Sequence, residues 1–130
     1  MAEFILKKIV KERDLKAFFE DIASCAVSSE EIGNPVYLPA RAELARHGIS
    51  CNGKTARRIS VADYELFDRI IVMDKSNLRL IERILGRERM DKVSMLLDND
   101  VADPWYTNDY HTTYKEIVKG CENLINSVSL

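Results

Sequence analysis

The stretch Phe67-Asp68-Arg69-Ile70-Ile71-Val72-Met73 most constrains what this chain can fold into. Its apolar run is short and unbroken, which is the pattern of a buried strand. The run ends at Asp74, and a helix is predicted over about 76–85, closed by Gly86. Residues 93–97 read as a second apolar strand, and 18–28 hold a short apolar stretch ending in small residues, a third candidate strand. Between these lie helical patterns. Phe4, Ile5, Ile9 and Val10 make one stripe. Residues 39–47 make another helix, with Pro39 near its start and Gly48 at its end. Ser60 reads as an N-cap supported by Asp63, and a last helix covers about 109–125. Strands alternating with helices predict an α/β fold: a three-layer α/β/α arrangement with a mostly parallel sheet. Ligands of such sheets bind outside the carboxyl ends of the strands, here the loops after Ser24, Met73 and Leu97. The chain opens directly on a helix, whereas a doubly wound unit begins with a strand feeding that helix.

Composition narrows the function classes. The 130 residues suit a single domain, 1–130, and no repeat or linker divides them. A net charge of −2 gives no reason to expect nucleic acid or an anionic membrane as partner. No apolar run approaches the ~20 residues of a membrane span, and the first residues lack a signal-peptide core, so a cytoplasmic protein is expected. Cys25, Cys51 and Cys121 are odd in number and widely spaced, which reads as reduced thiols. No spacing resembles a zinc site, and no cofactor or metal is expected.

Several segments in order resemble one family. They are Gly33-Asn34-Pro35-Val36-Tyr37-Leu38-Pro39-Ala40, Leu44-Ala45-Arg46-His47-Gly48-Ile49, and Lys54-Thr55-Ala56-Arg57. Asp63-Tyr64 follows, then Phe67 to Asp74 with Asn77-Leu78, then Asp103-Pro104-Trp105-Tyr106. The chain resembles the bacterial low-molecular-weight protein-tyrosine phosphatases from Met1 to its last helix.

The resemblance implies the family's four-stranded parallel sheet flanked by helices. It implies hydrolysis of phosphotyrosine through a phosphocysteine, with a phosphotyrosine protein or small aryl phosphate as substrate. In the family a Cys-x5-Arg-Ser/Thr loop after strand one supplies the nucleophile, and its N–H groups and arginine cradle the phosphate. An aspartate in an Asp-Pro-aromatic-aromatic loop protonates the leaving oxygen and then activates water. That role falls on Asp103 here, with Trp105, Tyr106 and Tyr37 against the substrate ring. Family members begin the first helix as Arg-Ser-Pro-Met-Ala-Glu, and this chain begins Met1-Ala2-Glu3. The expectation is therefore an N-terminally truncated, inactive domain without strand one and its loop. A misassigned start, a non-catalytic phospho-ligand-binding or interaction module, and an arsenate reductase-like enzyme are the readings beside it. Strand one is interior in the family's sheet, so its loss would leave unpaired edges, marginal stability and an opening for self-association.

Other residues carry weaker signals. Cys51 and Arg57 satisfy Cys-x5-Arg literally, but Arg58 follows where Ser or Thr belongs and no strong strand precedes, so chance is the stronger explanation. Cys25 and Cys121 read as small buried residues. His47 reads as a helix C-terminal residue complementing the dipole, and His111 as near the start of the last helix. Asp74 reads as a strand end or a support for the loops. Without the resemblance, Asp103 would be an ordinary turn aspartate before Pro104.

Overall fold

Strand β1 (Ile70–Val72) forms at the centre of the apolar run and pairs in parallel with β2 (Val93–Met95). The register sets Ile70 opposite Val93, Ile71 opposite Ser94 and Val72 opposite Met95. This is a computed structural model in which residues 1–28 and 30–128 are described. β1 is shorter than the sequence suggests because Phe67 is drawn into the end of the preceding helix, its N–H donating to the Asp63 carbonyl at 3.0 Å.

The two strands belong to one of two compact units, made of residues 25–34 and 55–101. Helix α3 (Val61–Leu66) enters through the expected capping box. Asp63 accepts from the Ser60 N–H, and the Ser60 side chain takes the Asp63 backbone N–H. Helix α4 (Lys75–Leu85) links the strands. Asp74 caps it, accepting from the Asn77 N–H at 2.7 Å. Gly86 ends it at φ 94°, a conformation that L residues with side chains rarely adopt. Ile59, Val72, Ile81 and Leu85 are buried together, with Val27, Tyr64, Leu78 and Met95 packed against them.

The candidate strand within 18–28 is corrected. Lys16–Phe18 forms a 3-10 turn, and of the rest only Ala26 makes a bridge, to Arg58. The bridge consists of the Ala26 N–H donating to Arg57 at 2.7 Å and the Ile59 N–H donating to Ala26 at 2.8 Å. Among the described residues no longer ladder holds this segment, and extended backbone without a ladder is not a strand.

The second unit comprises residues 1–24, 35–54 and 102–130. It contains α1 (Ala2–Glu12), α2 (Leu38–Arg46), α5 (Pro104–Thr107) and α6 (Tyr110–Ser127). Both α1 and α2 pack on α6. The apolar residues they bury include Ile5, Val10, Leu44, Ile117, Cys121 and Ile125. At ~1.5–3 kcal/mol for each fully buried aliphatic side chain, this face holds the three long helices together. Cys121 lies in the core as expected. Cys25 does not: it is exposed, because the segment that would have buried it forms no strand.

Candidate active site

Pro104 starts α5 because it has no N–H to lose at a first helical position. Asp103 caps the turn, its Oδ1 accepting from the Trp105 N–H at 3.0 Å. Asn108 ends it in the left-handed conformation at φ 58°, and Asp109 then caps α6 through the Thr112 N–H at 3.0 Å. Just before Asp103, the Ala102 carbonyl accepts from Thr113 Oγ1 at 2.9 Å, and its N–H donates to Glu116 Oε1 at 3.3 Å. The loop that carries Asp103 is thus fastened to α6 on its N-terminal side and capped on its C-terminal side. Asp103 itself is exposed.

Two of the aromatic residues expected beside it meet. The Tyr37 and Trp105 rings stand 5.1 Å apart, tilted by 57°. Tyr37 occupies the residue position just before α2, so both rings issue from helix starts. Trp105 is 64% exposed and Tyr106 84%. Tyr110 was not foreseen. Its hydroxyl pKa is raised, by burial first and then by the neighbouring Tyr37 and Asp103. Tyr110 stands at the first position of α6. The group is therefore one carboxylate and three aromatic side chains, Tyr37, Trp105 and Tyr110.

The Cys51 segment has a different character. Cys51 is buried, 3% exposed, and Asn52-Gly53 after it makes a turn with Gly53 at φ 84°. The N–H groups of an anion cradle would have to converge. Here the Lys54 N–H donates to the Cys51 carbonyl at 3.3 Å, and the Ala56 N–H to Asn34 at 2.8 Å. Among the described residues no helix follows until Val61. Arg57 is engaged with Asp63 through two hydrogen bonds, at 2.9 and 2.8 Å. Nothing in this segment has the form of a phosphate loop.

Two buried carboxylates escaped sequence reasoning. Glu3 accepts from Lys54 at 2.8 Å, Lys7 at 2.7 Å and Ser24 at 2.7 Å. Burial opposes its ionisation, but these donors outweigh it and hold the carboxyl at about 2. Glu43 meets both histidines, His47 at 2.7 Å and His111 at 3.5 Å. The spacing of Glu43 and His47, one helical turn apart, was the available signal for that pair. Asp74, at the end of β1, is occupied as the α4 cap, while Asn77 Oδ1 accepts from the Met73 N–H at 3.2 Å. No described helix is long and apolar enough to cross a membrane.

Parallel strands joined by a helix define an α/β protein. The family model for low molecular weight phosphotyrosine protein phosphatase matches residues 1–130, and the chain belongs to that family. It is 32% identical to the low molecular weight protein-tyrosine-phosphatase YfkJ of Bacillus subtilis, over 98% of this chain and 86% of that protein. It is also 32% identical to the human low molecular weight phosphotyrosine protein phosphatase, over 93% of this chain and 82% of that protein. The crystal structure of YfkJ superposes with a TM-score of 0.91, covering 97% of this chain and 83% of that one. The α/β fold expected from the sequence is the fold of these relatives.

Proposed function

We propose that this chain supplies the leaving-group side of a protein-tyrosine phosphatase site. Asp103 is the proton donor to the aryl oxygen, and Tyr37, Trp105 and Tyr106 form the wall for the substrate ring. The carrying observation is the fastened Asp103 turn beside the Tyr37–Trp105 pair at 5.1 Å. A general acid must be held within hydrogen-bond reach of the atom it protonates, and a cap bonded on both flanks provides that rigidity. Phosphate esters of phenols fit the site because their leaving oxygen is attached directly to the ring the wall receives.

The polypeptide of residues 1–130 is proposed to be inactive by itself. Its three thiols are distributed as one exposed cysteine and two buried ones, and Arg57 is committed to Asp63. A phosphoryl transfer site needs a thiolate within a ring of N–H donors, and the Cys51 turn lacks that ring.

Assaying the purified chain with para-nitrophenyl phosphate tests both parts. No turnover is expected. A version carrying a strand and a Cys-x5-Arg-Ser loop ahead of Met1 is expected to hydrolyse the ester, and Asp103→Asn in that version is expected to lower the rate at least 100-fold. Turnover by the unmodified chain that disappears in Cys51→Ser would overturn the inactivity. Full activity of Asp103→Asn would overturn its role.

A further inference from the structure

Glu43 and His47 sit four residues apart on one face of α2, and His111 lies in the first turn of α6, against which α2 packs. The Glu43 side chain is 3% exposed, and its two oxygens are used differently. Oε1 takes Arg46 Nη1 at 2.8 Å. Oε2 alone faces the imidazoles, 2.7 Å from His47 Nε2 and 3.5 Å from His111 Nδ1. One ligand atom from each of the three residues lies within 4.8 Å of the others.

From this geometry we propose that Glu43, His47 and His111 bind a divalent transition-metal ion of the zinc class. Two imidazoles and a carboxylate form a donor set suited to Zn2+, Co2+ or Ni2+, whereas Mg2+ and Ca2+ take oxygen ligands. Ligand bonds of about 2.0–2.1 Å on a tetrahedron put ligand atoms roughly 3.3–3.5 Å apart. The Glu43–His111 separation of 3.5 Å already has that span. The Glu43–His47 contact of 2.7 Å opens by somewhat more than half an ångström as the ion replaces the hydrogen bond.

Two further features prepare the ligands. The His47 ring stacks flat on Tyr114, centroids 3.6 Å apart and planes within 5°, so its orientation is fixed. Arg46 holds the second oxygen of the carboxylate, the outer contact that orients a metal-binding carboxylate. His111 is 58% exposed and gives the ion its entry from solvent. Three protein ligands leave a fourth position for water. Binding takes the proton from His47 Nε2, with the far ring nitrogen keeping or acquiring one, so a neutral imidazole ligates and any surplus proton leaves to solvent.

Titration calorimetry with Zn2+ alone tests the site on the full chain, with Mg2+ as the control. One saturable Zn2+ per chain is expected, no Mg2+ binding, and at least a tenfold weaker Zn2+ affinity in His111→Ala. That variant alters an exposed side chain, and circular dichroism checks its fold. Co2+ supplies a second readout: its absorption spectrum should carry ligand-field bands without thiolate charge transfer, and His111→Ala should diminish them. Unchanged affinity in His111→Ala, no saturable Zn2+ binding, or a thiolate spectrum with Co2+ would each overturn the proposal.

Discussion

Arg57 and Asp63 meet fork to fork, Nη1 donating to Oδ2 at 2.9 Å and Nη2 to Oδ1 at 2.8 Å. The same carboxylate accepts the Ser60 N–H at 2.9 Å and closes the capping box of α3. One buried side chain thus anchors the 55–60 segment and starts a helix. Asp63→Ala removes the cap and leaves the guanidinium unmatched, so a loss of about 2–3 kcal/mol is expected. The figure stays below that of a buried pair because Arg57 is partly in solvent. The Arg57 hydrogen bonds hold the Asp63 pKa below 3.8. A depressed folded pKa gives stability that is present above the unfolded value and lost as pH falls through the folded one. The melting temperature should therefore fall on acidification below about pH 4 in the native chain. Asp63→Asn should flatten that part of the profile, which thermal scans across pH would read. Equal slopes in the two proteins would disprove the contribution.

Asp103 behaves differently under substitution because it caps a helix of only one turn on the surface. Asparagine caps nearly as well as aspartate, so Asp103→Asn should change stability by less than about 0.5 kcal/mol in urea titrations. A larger loss would mean that Asp103 is structural, and a slow enzyme assay with this variant would then say nothing of proton donation.

The legible parts of this chain were those with local causes. The apolar run at Ile70–Val72, the Ser60–Asp63 box and the Gly86 stop each act over a few residues, and each forms close to where the sequence puts it. The Asp103-Pro104 turn was legible for the same reason, although the sequence described a loop where a capped helical turn forms. What stayed hidden depends on distant partners. Residues 18–28 have the composition of a strand, but a strand exists only through its neighbours. Tyr110 and His111 lie over sixty residues from Tyr37 and Glu43, and no spacing rule connects them. The buried cluster around Glu3 joins three segments in the same way.

The three thiols should differ in reactivity. Cys25 is exposed, and Cys51 and Cys121 are buried. Burial pushes the Cys121 thiol up to about 12, so its thiolate is scarce at neutral pH as well as shielded. One fast-reacting thiol per native chain is expected with a chromogenic disulfide reagent, and three after denaturation. Mass spectrometry should place the fast label on Cys25. Rapid labelling of Cys121 would show that α6 is not seated as described.

Glu3 is the sharpest test of the helical unit, because its carboxylate lies on the buried side of α1 and gathers Lys7, Ser24 and Lys54. Glu3→Gln keeps the shape and removes the charge. Lys54, largely buried itself, then loses its counter-charge, and a cost of about 2–3 kcal/mol is expected. Glu3→Ala should cost as much or more, since the Ser24 hydroxyl also loses its acceptor. The pH signature follows from the folded value of about 2 against 4.5 for a free carboxyl. Stability from Glu3 is complete above the unfolded value and disappears as pH falls from about 4.5 toward 2. Proton uptake on unfolding at pH 3, measured by calorimetry in buffers of different ionisation enthalpy, should therefore be smaller in Glu3→Gln than in the native chain. The same uptake in both would mean that Glu3 ionises in the folded protein as it does in the unfolded one, and that its three donors do not hold it.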